Sequence, residues 1–503
     1  MFQLTQEHRA CAMKLRRTLA QIDTSDVEHG HFQTMIKGEN PIEEFKQRLF
    51  DYIDNVPNTI DSVFWDPDYP TGDEYAQYQS QIKPRFMRGF YGFCAEHNED
   101  PYRIMSEEAK KRGLENILSH RVNGSDPYSE EYPPKFKIEH PEEYLKAWWK
   151  YGLSNLASPV IRKRKIDILS ECMERYDFDG CQIDFCRHTP FLPIGHQWEL
   201  RNEVTTFLSD LRFMLLETEK KKNHPMMLFA RVPQLLEGAH ADGLDIETWI
   251  EENIIDGLVI GSRSYAVDIQ GYRKATKGRV NLYPCFDYHH CTDGYTNAPI
   301  EVLRGVFSNW WQQGADGIML FNWVGAREKI LRATGREPYH FFSNTEASQL
   351  CEVGDPVLLN KLERIHVVER RGGYPWTIGF ANGNMEKQLP LQASTSGAEV
   401  EIYTSDSRRS AELSVVLSHV QSIIKVEMNG IIVNADVDTE WQDDLVFDEA
   451  PVSGFHIENI PKHASPIKLW QYKAQVSCHK GLNYIKVYGD ARIEKVELLF
   501  HEK

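Results

Sequence analysis

No run in this chain approaches the roughly 20 consecutive apolar residues that a membrane-spanning helix needs, so a membrane is not expected as a partner. Positive charge is also in short supply. Lys and Arg number 57 against 74 Asp and Glu, a formal net charge of −17. That balance argues against nucleic acid or an anionic bilayer as the main partner, and leaves room only for a locally basic pocket. Cysteine pairs at CxxC spacing are absent, as is the HExxH zinc signature. One HxH occurs, His29-Gly-His31, beyond the end of the first expected strand. Phosphate-loop, serine-nucleophile and cysteine-nucleophile motifs are missing too, so no cofactor and no metal are expected. The nine cysteines are scattered, several in core-like runs (Cys172, Cys181, Cys186, Cys285), as buried free thiols of a reducing compartment would be. Met1-Phe-Gln-Leu-Thr-Gln carries no apolar signal core, and the expected location is cytoplasmic.

What is present is ample. The 503 residues, 41% hydrophobic and 26% charged, suffice for a large barrel and a second domain. The stretch Tyr176–His188 sets the pattern. Ile166, Leu169, Met173 and Tyr176 recur at helical spacing, an acidic turn (Asp177, Asp179-Gly180) follows, and a short apolar run ends on Asp184, Phe185, Arg187 and His188. Helix, tight turn, apolar strand and a polar C-terminal strand end make the unit of a parallel (β/α)8 barrel, whose chemistry sits at that end. Strands are expected over 16–23, 60–66, 113–123, within 176–188, and over 224–234, 255–263, 280–290 and 315–323. Asp179-Gly180, Asp256-Gly257 and Asp316-Gly317 repeat the same helix-to-strand turn, which assigns these aspartates to stability and not to chemistry. Residues 124–158, rich in Pro, Tyr and charge, are expected to lie over the barrel mouth as a long loop.

The barrel is expected to occupy 1–375, with 345–369 helical, and an antiparallel β-sandwich of jelly-roll type 376–503. Its strands lie near 399–404, 411–417, 423–433 around Asn429-Gly430, 467–476, 482–488 and 493–500. Collecting the strand ends of the barrel gives the acids Asp23, Asp66, Asp184 and Asp287. The arginines are Arg121, Arg187, Arg231 and Arg263, and the other polar groups His120, Asn123, His188, His289, His290 and Asn322. Trp65, Tyr265, Tyr288 and Trp323 suit a sugar platform or, equally, a core.

Glycosidic hydrolysis needs two carboxyl groups, one protonated to assist departure and one ionised to attack or activate water. Asp184 is the expected nucleophile or base and Asp287 the expected acid, with Asp66 as the competitor for the second role. Arginine forks after four successive strands would favour a sulfated or uronic ligand, unless each pairs with a barrel acid. The remaining strand-end residues are candidates for binding the oligosaccharide, or for a subunit interface near the mouth of a homo-oligomer.

Several stretches carry a resemblance. They are Arg16-Arg-Thr-Leu with Asp23 and Asp26, Asp61-Ser-Val-Phe, His120-Arg-Val-Asn123, Asp179-Gly-Cys-Gln-Ile-Asp-Phe-Cys-Arg187 and Leu389-Pro-Leu391. Together they resemble family-10 glycosidase-like barrels with a C-terminal β-domain, as met in bacteria that degrade marine sulfated polysaccharides. The resemblance implies a glycoside hydrolase with Asp184 as an active-site carboxylate; about the second acid it is silent. Short imported oligosaccharides fit a cytoplasmic member best. Two other classes stay open: a sugar-binding barrel without catalysis, and a metal-dependent hydrolase built on His120, His188, His289 and His290.

Overall fold

Short apolar runs separated by amphipathic helices bury both faces only as parallel strands under a ring of helices. The computed structural model describes residues 1–24, 40–67, 72–124, 131–147, 149–261, 264–286, 295, 298–321, 323, 349–370, 388–405, 410–443, 446 and 467–502. Eight parallel strands close a barrel. They are β1 (Thr18–Asp23), β2 (Ser62–Asp66), β3 (Glu115–Arg121), β4 (Gly180–Asp184), β5 (Met227–Val232), β6 (Gly257–Ile260), β7 (Asn281–Phe286) and β8 (Ile318–Phe321). β1 pairs with β2 on one side and β8 on the other, which removes both sheet edges. Helices start where the sequence supplies caps: Asp100 ahead of Pro101–Lys111 and Ser158 ahead of Pro159–Arg175 each accept two backbone N–H bonds, with proline following.

The aspartates of the Asp-Gly repeat have a physical role, which Asp61, ahead of Ser62, shares. Asp61, Asp179, Asp256 and Asp316 stand at the entries of β2, β4, β6 and β8. Each carboxylate accepts an N–H at or just before the start of the preceding strand: Arg17, Asn116, Leu228 and Leu282, at 2.7, 2.8, 2.7 and 2.8 Å. One device thus locks four strand pairs at the N-terminal end of the barrel, opposite the end on which the strands finish. Glycine follows where the wall is tight. A Cβ on Gly180 would lie 2.1 Å from the Met227 carbonyl oxygen, and one on Gly317 1.9 Å from that of Arg16.

Asp256 also anchors the N-terminal helix Gln6–Ala12. The buried His8 ring meets Asp256 through Nε2 at 2.9 Å and Glu219 through Nδ1 at 2.7 Å, with Arg212 at 3.5 Å from Nε2. Burial opposes the imidazolium, but hydrogen bonding and charge from Asp256, aided by Glu219, outweigh it and raise His8 above 6.5. A raised folded-state value stabilises below the unfolded one and is lost as pH climbs through the raised one. Thermal melts from about pH 6 to about pH 9 should therefore show a fall in Tm that His8→Gln flattens. Equal slopes in both proteins would refute the link.

The C-terminal region stacks two antiparallel sheets. One runs Arg364–Val367, Ala491–Phe500, Ser410–Ser418, Leu469–Ser477, Asp436–Trp441, with Leu391–Ala393 also on Ala491–Phe500. The other runs Ala398–Thr404, Gly481–Tyr488, Lys425–Met428, Ile431–Ile432. Val400, Ile402, Leu413, Val415, Ile485, Val487, Val496 and Leu498 fill the space between them. The stretch expected to be helical to residue 369 departs from that expectation. After two short helices, Leu350–Val353 and Pro356–Leu359, Arg364–Val367 is a strand paired with Glu497–Phe500. Helix Ile300–Gln312 of the barrel lies flush on that strand. A Cβ on Gly305 would lie 1.9 Å from the Ile365 carbonyl oxygen.

Of the eight described cysteines six are buried. No helix among the described residues is long and apolar enough to cross a membrane.

Candidate active site

Strand alternation decides which side chains enter the barrel. Its lower interior is apolar: Leu19, Phe64, Ile117, Met227, Phe229, Val259, Tyr283 and Met319. Above them a polar layer begins. Gln182 donates from Nε2 to Gln21 Oε1 at 3.0 Å and to Ser119 Oγ at 2.8 Å, and Gln21 Nε2 reaches Ser119 Oγ at 3.2 Å. Two residues further along the same strands lie Asp23, Arg121 and Asp184, with Asp66 and Arg231 beside them.

These five groups line the C-terminal mouth. Asp23 faces Asp66 in register, and Arg121, Asp184 and Arg231 stand in register across β3, β4 and β5. The Arg121 guanidinium lies 2.9 Å from Asp23 Oδ2 and 2.8 Å from Asp66 Oδ2. Burial opposes its charge, yet Asp66 and Asp23 outweigh burial and push it further up. Asp184 accepts from the Cys186 N–H at 2.8 Å through Oδ1 and from Arg231 Nη1 at 3.2 Å through Oδ2. Arg231 also donates to the Gly261 carbonyl at 3.3 Å and lies over Phe321, 4.8 Å from the ring centroid. Asp184 is 0% exposed. Burial and the neighbouring Asp184 push the Cys186 thiol well up, so it is not a nucleophile at neutral pH.

Beyond the strand ends, Asn123 ties three segments together. Its Nδ2 donates to the carbonyls of His188 (2.7 Å) and Pro190 (3.3 Å), and its Oδ1 accepts from the Ser154 N–H at 2.7 Å. Ser154 belongs to a two-stranded ribbon, Tyr144–Leu145 with Leu153–Ser154. Trp149, at its tip, lies over His188 with ring centroids 4.9 Å apart. The segment after β3 thus reaches the segment after β4, as a loop over the mouth would. Burial, with Arg187 and Arg121, pushes His188 well below the usual imidazole range, and the ring is neutral at neutral pH.

Of the residues read from the sequence, the mouth gathers Asp23, Asp66, Arg121, Asp184 and Arg231, with Asn123, Arg187 and His188 just beyond. Four others belong elsewhere. Trp65 is fully buried on the outer face of the barrel wall, its Nε1 bonded to Asn116 Oδ1 at 3.1 Å and its ring against Phe50. His120 likewise points outward, to Lys165 (3.4 Å) and Asp73 (3.5 Å). Tyr265 and Trp323 are buried around Phe286, at ring distances of 6.3 and 6.2 Å. Asp287, Tyr288, His289, His290, Arg263 and Asn322 lie outside the described residues.

Trp65, on the outer face of the wall, is a packing group and not part of a sugar platform, whereas Tyr265 and Trp323 are buried around Phe286. Arg121 and Arg231 are engaged by barrel aspartates and do not form an open positive ring. With His120 outside the wall, it cannot share an ion with Asp184; groups of His, Cys, Asp and Glu able to hold a metal do not occur among the described residues.

Sequence reading missed Gln21 and Gln182, although each lies two positions before a mouth aspartate on the same strand face. It also missed Asp242, in the turn after helix Leu236–Ala241, which burial pushes up to about 7.

No protein-family model matches the chain, and no curated protein matches it. Among solved structures it is similar to the glycoside hydrolase domain of PgaB (BpsB) from Bordetella bronchiseptica. That likeness has 11% identity and a TM-score of 0.42, covering 68% of this chain and 99% of that one. It is also similar to α-L-fucosidase isoenzyme 2 from Paenibacillus thiaminolyticus, at 10% identity and a TM-score of 0.39, covering 69% and 49%. A third is a noncanonic maltogenic α-amylase, AmyB, from Thermotoga neapolitana, at 10% identity and a TM-score of 0.36, covering 98% and 100%.

Proposed function

We propose that this barrel is a glycoside hydrolase, with Asp184 as nucleophile or general base and Asp287 as general acid. The observation that carries the reading is Asp184 itself. It is an inward carboxylate at the C-terminal end of β4, where barrel enzymes keep their chemistry. Both of its oxygens accept hydrogen bonds, which suits an ionised attacker or base better than a proton donor. Asp66 is the weaker choice for the acid, because its Oδ2 is already engaged by the Arg121 guanidinium at 2.8 Å. Asp287 follows Phe286, the last residue of β7, in the chain.

The substrate we assign is a short oligosaccharide, met in the cytoplasm. A sulfated or uronic sugar fits the resemblance to family-10 glycosidase-like proteins. Of the four arginines behind that preference, Arg121 and Arg231 are engaged by aspartates. Retention or inversion turns on the separation of the two carboxyl groups.

Acid assistance matters least when the leaving group is already a good one. Asp287→Ala should therefore lose about a hundredfold or more on an alkyl glycoside and far less on a nitrophenyl glycoside. Kinetics on the two substrates check this. Equal losses on both would remove Asp287 from the acid role, and the same split in Asp66→Ala would transfer the role to Asp66. A second reading is a sugar-binding barrel without catalysis, favoured by the complete enclosure of Asp184. It predicts affinity without turnover.

A further inference from the structure

Tyr265 and Trp323 belong to one aromatic cluster centred on Phe286. Phe286 lies among Tyr265, Phe307 and Trp323, at ring distances of 6.3, 5.6 and 6.2 Å. Tyr265 meets Tyr295 at 5.9 Å, and its carbonyl accepts from Trp310 Nε1 at 2.9 Å. Tyr295, on the segment that follows β7, is held from outside the barrel. Its hydroxyl donates to Glu497 Oε1 at 3.0 Å, and the Lys495 ammonium lies 4.7 Å from its ring centroid. Lys495 is itself fixed by Asp443 at 2.6 Å.

A second clasp holds the segment after β6. Glu369, 5% exposed, accepts on Oε2 from the Ser264 hydroxyl at 2.7 Å and from the Ala266 N–H at 2.9 Å. Glu369 follows directly on Val368, whose N–H bonds the Val496 carbonyl at 3.0 Å. Both clasps therefore come from the C-terminal region. Both grip residues beyond the C-terminal strand ends of the barrel, Ser264 and Ala266 after β6 and Tyr295 after β7.

We propose that the C-terminal β-region is a brace for the catalytic face, with Glu369, Tyr295 and Glu497 as positioning residues for the segments after β6 and β7. The proposal deepens the glycosidase reading and rests on it for the role of Asp287. Positioning matters because a misplacement of about 1 Å can cost about a hundredfold in rate.

The test uses the full chain as Glu369→Ala, Tyr295→Phe and Glu369→Gln, whose amide oxygen still accepts both donors. Hydrogen exchange over 261–268 and 281–298 is measured beside kcat, KM and Tm. Glu369→Ala should speed exchange over 261–268, and Tyr295→Phe over 281–298. Each should lower kcat by about tenfold with KM within about twofold. Glu369→Gln should restore exchange and kcat together. Unchanged exchange in both variants, or unchanged kcat with faster exchange, overturns the brace. If the wild-type chain cleaves no glycoside, the functional reading falls, while the exchange data still decide whether the C-terminal region holds these segments.

Discussion

Asp184→Asn is expected to lower turnover by at least about a thousandfold while the chain stays folded. Asparagine keeps the shape of aspartate and an oxygen that can accept the Cys186 N–H. It cannot attack an anomeric carbon or take a proton from water. Its structural cost is a neutral partner for Arg231, which stands 3.2 Å from Oδ2. That guanidinium keeps its bond to the Gly261 carbonyl and its place over Phe321, so the loss in stability should stay near about 1–3 kcal/mol. Assays well below the variant's Tm separate the two effects. A variant that folds, binds and still turns over at more than about a tenth of the wild-type rate would take Asp184 out of the chemistry.

The largest structural effect is expected from Arg121→Met. Asp23 and Asp66 stand in register on adjacent strands, 7% and 0% exposed, and Arg121 is the cation between them. Methionine fills much of the volume and leaves two buried carboxylates facing each other. Breaking a buried pair from one side costs about 3–5 kcal/mol, far more than the pair itself contributes. Denaturant titrations of both proteins check it. Asp23→Asn in the Arg121→Met background should recover much of the loss, whereas a deficit that Asp23→Asn leaves unchanged would point to packing instead of charge.

The barrel was legible because its signals are local. Apolar runs of strand length, caps such as Ser158-Pro159 and the Asp-Gly turns each sit within a few residues of what they cause. The turn aspartates also announced their role by recurring at strand entries. The site was half legible. Asp184, Arg121 and Arg231 were found because strand ends are where polar residues interrupt apolar runs.

Alternation was the signal left unused. Trp65 and Asp66 are neighbours on one strand, as are His120 and Arg121, and only one of each pair can face inward. Applied strictly, the same rule moves Trp65 and His120 outside and brings Gln21 and Gln182 in. Other features depend on partners far away in sequence and have no local trace. Trp149 over His188 is one, and Arg364–Val367 is another, a short run whose strand character comes from pairing with Glu497–Phe500. The pairing of Arg121 with Asp23 and Asp66 is of the same kind, although a chain with this excess of acid made such pairing the ready alternative to a free positive ring.

The most direct measurement is product analysis of sulfated, uronic and neutral oligosaccharides incubated with the wild-type chain and with Asp184→Asn. The account predicts a released sugar from at least one class with the wild type and none with the variant at equal folded concentration. Binding by both proteins with no product from either would contradict it and leave a sugar-binding barrel.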